Sequence, residues 1–212
     1  MRLTRCARTR RSAHLSLAVA LWLSMGHATL WAQELYATNS KNILVHGRAA
    51  SGNTYPFRTL GGPLTLNERI PGLALDAVND ELFVLLEEGP LEASSSVRVY
   101  NRTADGNAAP IRSFNEIGRG GSSALTVDTL HGELFISHQE HVVPGPAQVR
   151  VCDRAATGSA APLRTLVGAS TGLNEPRAVV VDTVHNEMLV VNQHVLPVEQ
   201  QRRLRPVMAL AH

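Results

Sequence analysis

Gly72-Leu73-Ala74-Leu75-Asp76, a polar corner, Glu81-Leu82-Phe83-Val84, a longer loop, Val97-Arg98-Val99-Tyr100-Asn101-Arg102 and Pro110-Ile111-Arg112-Ser113-Phe114 form one long sentence that the chain keeps rewriting. About 52 residues later it returns as Asp128, Glu133-Leu134-Phe135-Ile136, Val149-Arg150-Val151-Cys152-Asp153-Arg154 and Pro162-Leu163-Arg164. It starts a third time at Asp182 and Glu187-Met188-Leu189-Val190. A period of this size marks a repeat architecture. Every later reading depends on it.

Four strands recur in each unit. Strand a is Leu73–Asp76, Leu125–Asp128 and Val179–Asp182. Strand b is Glu34–Ala37, Glu81–Val84, Glu133–Ile136 and Glu187–Val190. Strand c is Ile43–Val45, Val97–Val99 and Val149–Val151, and strand d follows Pro56, Pro110 and Pro162, each with an arginine two residues on. Near-continuous apolar runs predict that a and b are covered on both faces. Alternation predicts that c is half exposed. A proline at the start of d suits an outer strand, where a missing N–H is tolerated. The gradient predicts an all-β fold, a β-propeller-like array of four-stranded antiparallel blades radiating from an axis.

The a–b corners carry Asn79-Asp80, His131-Gly132 and His185-Asn186, residue types that tolerate the positive φ of tight hairpins. Asp76, Asp128 and Asp182 are placed to accept hydrogen bonds from those turn amides. Because they occur in every unit, these aspartates and the strand-b glutamates read as structural rather than as metal ligands.

The Gly-Leu-Ala-Leu-Asp, Glu-Leu-Phe-Val, Val-Arg-Val-Tyr-Asn-Arg and Pro-x-Arg pattern resembles the NHL-type repeats of bacterial exported β-propellers, over Glu34 to about His194. The resemblance implies a frame shared by binding platforms, lactonases, lyases and ligand carriers, so it implies no single activity. The acidic and amide metal-binding set of the propeller lactonases has no counterpart here.

The count of strands is short. The pattern supplies b-c-d, a-b-c-d, a-b-c-d and a-b, about three to three and a half blades, where closed propellers use four to eight. Three readings follow: a truncated propeller, an open array with covered edges, or two copies that close a ring. Open edges predict self-association.

The chain of 212 residues is 44% apolar and only 4% aromatic. Its formal charge of +2 comes from Arg2, Arg5, Arg8, Arg10 and Arg11. Without residues 1–32, 15 Lys+Arg stand against 18 Asp+Glu, a net charge of −3. No basic stripe supports a nucleic-acid partner. Residues 1–32 have the layout of a signal peptide: arginines, the apolar run Leu15–Leu23, then small residues, with cleavage after Ala28 or Ala32. Export to the periplasm or beyond is expected. A single anchoring helix is the alternative, but Ser16, Ser24, Gly26, His27 and Thr29 interrupt the run. Arg10-Arg11 loosely suggests a twin-arginine signal, without the hydrophobic residues expected after the pair. Past the leader Cys152 is the only cysteine, which excludes an intrachain disulfide and reads as a small buried apolar residue.

The domain plan is therefore a leader over 1–32, repeats over 33–195 and a non-repeat tail over 196–212. The tail's Arg202, Arg203 and Arg205 read as a solvated end rather than a nucleic-acid or membrane patch.

Length variation between blades points to the b–c loops as the binding side. Ser40-Lys41-Asn42 is minimal, whereas Glu87–Ser96 and Gln139–Gln148 are insertions. The ends of strand b align as Asn39, Leu86, His138 and Asn192, with Lys41, Glu88, Glu140 and His194 two positions on. Asn39, His138, His141, Asn192 and His194 are the candidate ligand-binding residues. Histidines could hold a metal, but no carboxylate keeps a set spacing with them, so no metal and no cofactor is assigned. Gly118-Arg119-Gly120-Gly121 leads into a strand and is a loop rather than a phosphate cradle. No catalytic motif is present. The leading expectation is a non-enzymatic module with a protein or glycan partner at the b–c face; a metal-dependent propeller hydrolase or lyase, and a fragment without independent activity, are the alternatives.

Overall fold

The computed structural model describes residues 34–39, 41–63, 68–88, 94–116, 121–139 and 145–193. The leader, the tail, His141 and His194 lie outside these described residues. Among the described residues, fourteen strands form four sheets in chain order. The first is β1 (Glu34–Thr38), β2 (Ile43–Gly47) and β3 (Arg58–Leu60). The second is β4 (Arg69–Asp76), β5 (Glu81–Glu88), β6 (Ser94–Asn101) and β7 (Arg112–Glu116). The third is β8 (Gly121–Asp128), β9 (Glu133–Gln139), β10 (Gln148–Asp153) and β12 (Arg164–Val167), and the fourth is β13 (Pro176–Asp182) with β14 (Glu187–Asn192). This is the b-c-d, a-b-c-d, a-b-c-d, a-b order of the repeat, all antiparallel within a blade. The fold is an all-β, propeller-like array. Among the described residues the only helical piece is one 3-10 turn, Ala169–Thr171, and no helix is long and apolar enough to cross a membrane.

The remaining strand, β11 (Gly158–Ala160), was not expected. It lies in the c–d loop of the third blade and pairs in parallel with β7 of the second. The same loop one blade earlier makes a single parallel bridge, Gly106 to Leu60. These two c–d loops thus close the outer edges of the blades before them, covering otherwise unpaired rows of backbone groups.

Three apolar layers lie between successive sheets. Strand b feeds two of them, because its alternate side chains point to opposite faces. Leu82, Val84 and Leu86 pack back on Ile43, Val45 and Leu60, while Phe83 and Leu85 pack forward on Leu134, Ile136 and Cys152. Phe135, Val149 and Val151 pack on Val179 in the third layer. Strand c departs from expectation. Tyr100, Arg150 and Cys152 on its supposedly open face are buried, because that face meets the preceding blade. Cys152 fills the place of Tyr100, as a small core residue.

Strands a lie nearest each other. A Cβ added to Gly72 would stand 2.9 Å from Leu125 Cδ2 and 3.2 Å from the Leu125 nitrogen, so glycine sets the spacing of β4 and β8. Replacing Gly72 with Val is expected to destabilise the fold by about 1–3 kcal/mol through overpacking. Urea titration checks it, and an unchanged midpoint would mean that the two strands are not in close contact.

Candidate functional site

The two ends of the array are built differently. At the a–b end, Asp76, Asp128 and Asp182 each accept turn amides two and three residues on, at 2.9–3.2 Å. Each also holds the third side chain of its turn: Asn79 Nδ2 donates at 2.7 Å, and His131 and His185 place Nδ1 at 2.7 Å from the carboxylate. Asp80, Gly132 and Asn186 follow with φ of 58, 70 and 56°. The carboxylates are turn devices, as the repeat predicts.

Beside them runs a ladder of ion pairs that joins blades. Glu34 is bound by Arg58 of its own blade and by Arg102 of the next, at 3.1 and 2.8 Å. Glu81 is bound by both guanidinium nitrogens of Arg112 and, at 2.6 Å, by Arg154 of the next blade. Arg58 and Arg112 donate in turn to the carbonyls of Arg102 and Arg154, at 3.1 and 3.0 Å. Arg112 also lies over the Phe83 ring, 5.6 Å from its centroid. Glu133 takes both nitrogens of Arg164, and no second arginine joins it among the described residues.

These contacts set the charge states. Hydrogen bonds from Arg112 hold Glu81 below its ordinary 4.5, against the opposing effect of burial, with the charges of Arg112 and Arg154 adding to the shift. Arg164 does the same for Glu133. Burial raises Asp128, but bonds from His131 and the turn amides outweigh it and leave the carboxyl low. Burial and the bond to Glu34 push Tyr36 up to about 12. Carboxyls depressed in the folded chain contribute stability above their ordinary values and lose it as pH falls through the folded ones. Stability is therefore expected to hold at neutral pH and to fall below about pH 4.5. Circular dichroism melts across pH 2–7 (chosen to span roughly the carboxylate range) check this, and a melting temperature independent of pH there would contradict it.

The b–c end holds the residues singled out in the sequence. Asn39 is exposed, and its Oδ1 accepts the Asn42 amide at 3.2 Å, closing the short turn. Asn192 donates from Nδ2 to the Gly172 carbonyl at 2.8 Å and accepts the Asn174 amide at 3.1 Å, tying β14 to the d–a connection. His138 is 1% exposed, with Nδ1 3.1 Å from Ser122 Oγ. It sits opposite a register shift of β8 between Ser122 and Ala124, and strand a of the second and fourth blades carries a matching shift near the same rim. The neighbouring blade places other polar groups there: Glu87 pairs with Arg69, and Glu88 accepts Ser96 Oγ at 2.6 Å. His138, Asn39 and Asn192 stand at equivalent strand ends in three different blades. Among the described residues no group of three His, Cys, Asp or Glu side chains is arranged to hold a metal.

Reading residue by residue missed the cross-blade arginines. Arg48, Arg102 and Arg154 each precede Gly52, Gly106 and Gly158 by four residues and Arg58, Arg112 and Arg164 by ten. That spacing was the available signal.

No protein-family model matches the chain, and no curated protein matches it. Among solved structures the chain is similar to one in a crystal structure of a nidogen/laminin complex, at 17% identity and a TM-score of 0.45. The similarity covers 75% of this chain and 52% of the other, so the chain spans about half of that structure's length.

Proposed function

We propose that the chain is an exported, NHL-like repeat protein without catalytic activity, which binds a protein or glycan partner at its b–c end. One observation carries this reading: the recurrent charged residues of the a–b end are already committed to turns and to the ladder. The blades differ most at the other end. There the strand-b termini change from Asn39 to Leu86, His138 and Asn192, and the intervening loops change length.

The test is a loop exchange. Residues 89–93 and 140–147 are replaced by short Asn-Gly turns, and a control variant alters Val78 and Leu130 in the exposed a–b turns. Binding to a glycan array and to a display library of exported proteins is compared. Loss of the ligands in the b–c variant and their retention in the control supports the proposal. The reverse pattern overturns it.

A metal-dependent hydrolase or lyase is the second reading, because His138, His141 and His194 belong to the same loop set. The Ser122 contact and deep burial of His138 speak against it. Stoichiometric bound metal that disappears in His138→Ala would overturn the binding-module reading in favour of this one.

A further inference from the structure

Among the described residues, the cleft between the third and fourth sheets lacks the second arginine that completes the two preceding joints. In the second blade Glu81 and Asp76 face Arg112 and Arg154, and the charges balance. In the third, Glu133 pairs with Arg164 and Asp128 with His131 of its own turn, and these residues together with Glu187 line a cavity of about 600 Å³ where the next arginine would stand. A net negative charge is left in a partly apolar cleft.

Exposure marks the same gap. Leu60 and Phe114 are 1% exposed beneath the loop of the following blade, whereas the equivalent Leu166 on β12 is 40% exposed. Leu189 and Val191 on β14 are 56% and 59% exposed, whereas Phe83 and Leu85 at the same places are fully buried. Among the described residues β14 has no strand-c partner and β12 no c–d loop, although β5, β9 and β7 have theirs.

We propose that this cleft binds a β-hairpin from a protein partner. Its first strand alternates branched apolar residues and ends in arginine, with glycine four residues beyond, the chemistry of this chain's own 149–158. The strand adds to the edge of β14 that has no partner among the described residues, by main-chain hydrogen bonds. Its guanidinium reaches Glu133 and Asp128 in a charge-assisted contact. The loop after the arginine pairs with β12 and covers Leu166. The ion-pair contact of this site lies at the a–b end, away from residues 89–93 and 140–147, so failure of the loop exchange and failure of this proposal are distinguishable.

The probe is a labelled synthetic peptide of residues 148–167 with Cys152→Ser, titrated into the full chain by fluorescence anisotropy. Saturable binding is expected, weakened about tenfold or more by Arg154→Ala in the peptide. Glu133→Gln in the protein is expected to weaken it similarly; the peptide variant keeps the test independent of that protein's folding. No binding, or binding indifferent to the peptide's Arg154, overturns the proposal. Two further outcomes also overturn it. Binding that emerges only after Arg202, Arg203 and Arg205 are changed to Ser assigns the cleft to the chain's own tail. Association of the protein alone that the peptide disperses assigns it to a second copy.

Discussion

Replacing Phe83 with Ala is expected to lower the free energy of unfolding by about 3–5 kcal/mol, the range for removing a buried aromatic ring from a core that cannot fully collapse. Phe83 is fully buried in the layer between the second and third blades, and Arg112 covers its ring. The equivalent Phe135 is also covered by its blade's arginine, Arg164, at the same 5.6 Å. It is 7% exposed, however, and it lines the unfinished cleft. Phe135→Ala is therefore expected to cost somewhat less, about 2–4 kcal/mol, since one side of the ring borders a cavity and already lacks packing partners. Denaturant unfolding of both variants measures the difference. Equal losses would mean that the fourth sheet seals its neighbour as well as the third seals the second.

The second large effect is at Glu81. Glu81→Gln removes the carboxylate shared by Arg112 and Arg154 and leaves two part-buried guanidinium groups beside Asp76 alone. A loss of about 2 kcal/mol is expected, within the range for hydrogen bonds to charged groups and reduced for partial exposure. Glu133→Gln is the internal comparison. Its partner Arg164 is 55% exposed at the side chain, and no second blade holds it among the described residues. That change is expected to cost about 0.5–1 kcal/mol. Both carboxyls are depressed by their arginines, so each Gln variant should flatten the acid limb of the stability profile, Glu81→Gln the more because two arginines hold it. Thermal melts of the two variants at pH 3 and 7 (roughly the two sides of the carboxylate range) separate these outcomes.

The strand pattern was legible because it rests on local signals. Apolar runs, Asp-bounded corners and the Pro-x-Arg entry reported thirteen strands and their order. The extra β11 was not legible, since Gly158-Ser159-Ala160 has neither apolar alternation nor branched side chains. It becomes a strand only because the edge of β7 lies beside it. The burial of strand c on both faces has the same origin: Arg98 and Arg150 look solvent-facing in a single blade, and only stacking covers them. His138 read as a rim ligand because its position aligns with Asn39 and Asn192. Its burial depends on the register shift of β8 that brings Ser122 against the ring. Local chemistry announces itself in sequence, whereas contacts 42–73 residues apart, such as those of Arg112 and Arg154, show only as a recurring spacing.

The account rests on the repeated Glu and Arg residues being joints between blades. A double-mutant cycle on Glu81 and Arg154, 73 residues apart, addresses this directly. Glu81→Gln, Arg154→Met and the double variant are unfolded in urea at pH 7. The account predicts a favourable coupling of about 1–2 kcal/mol, as for contacting residues in one ion-pair network. Strict additivity, within about 0.3 kcal/mol, would contradict it.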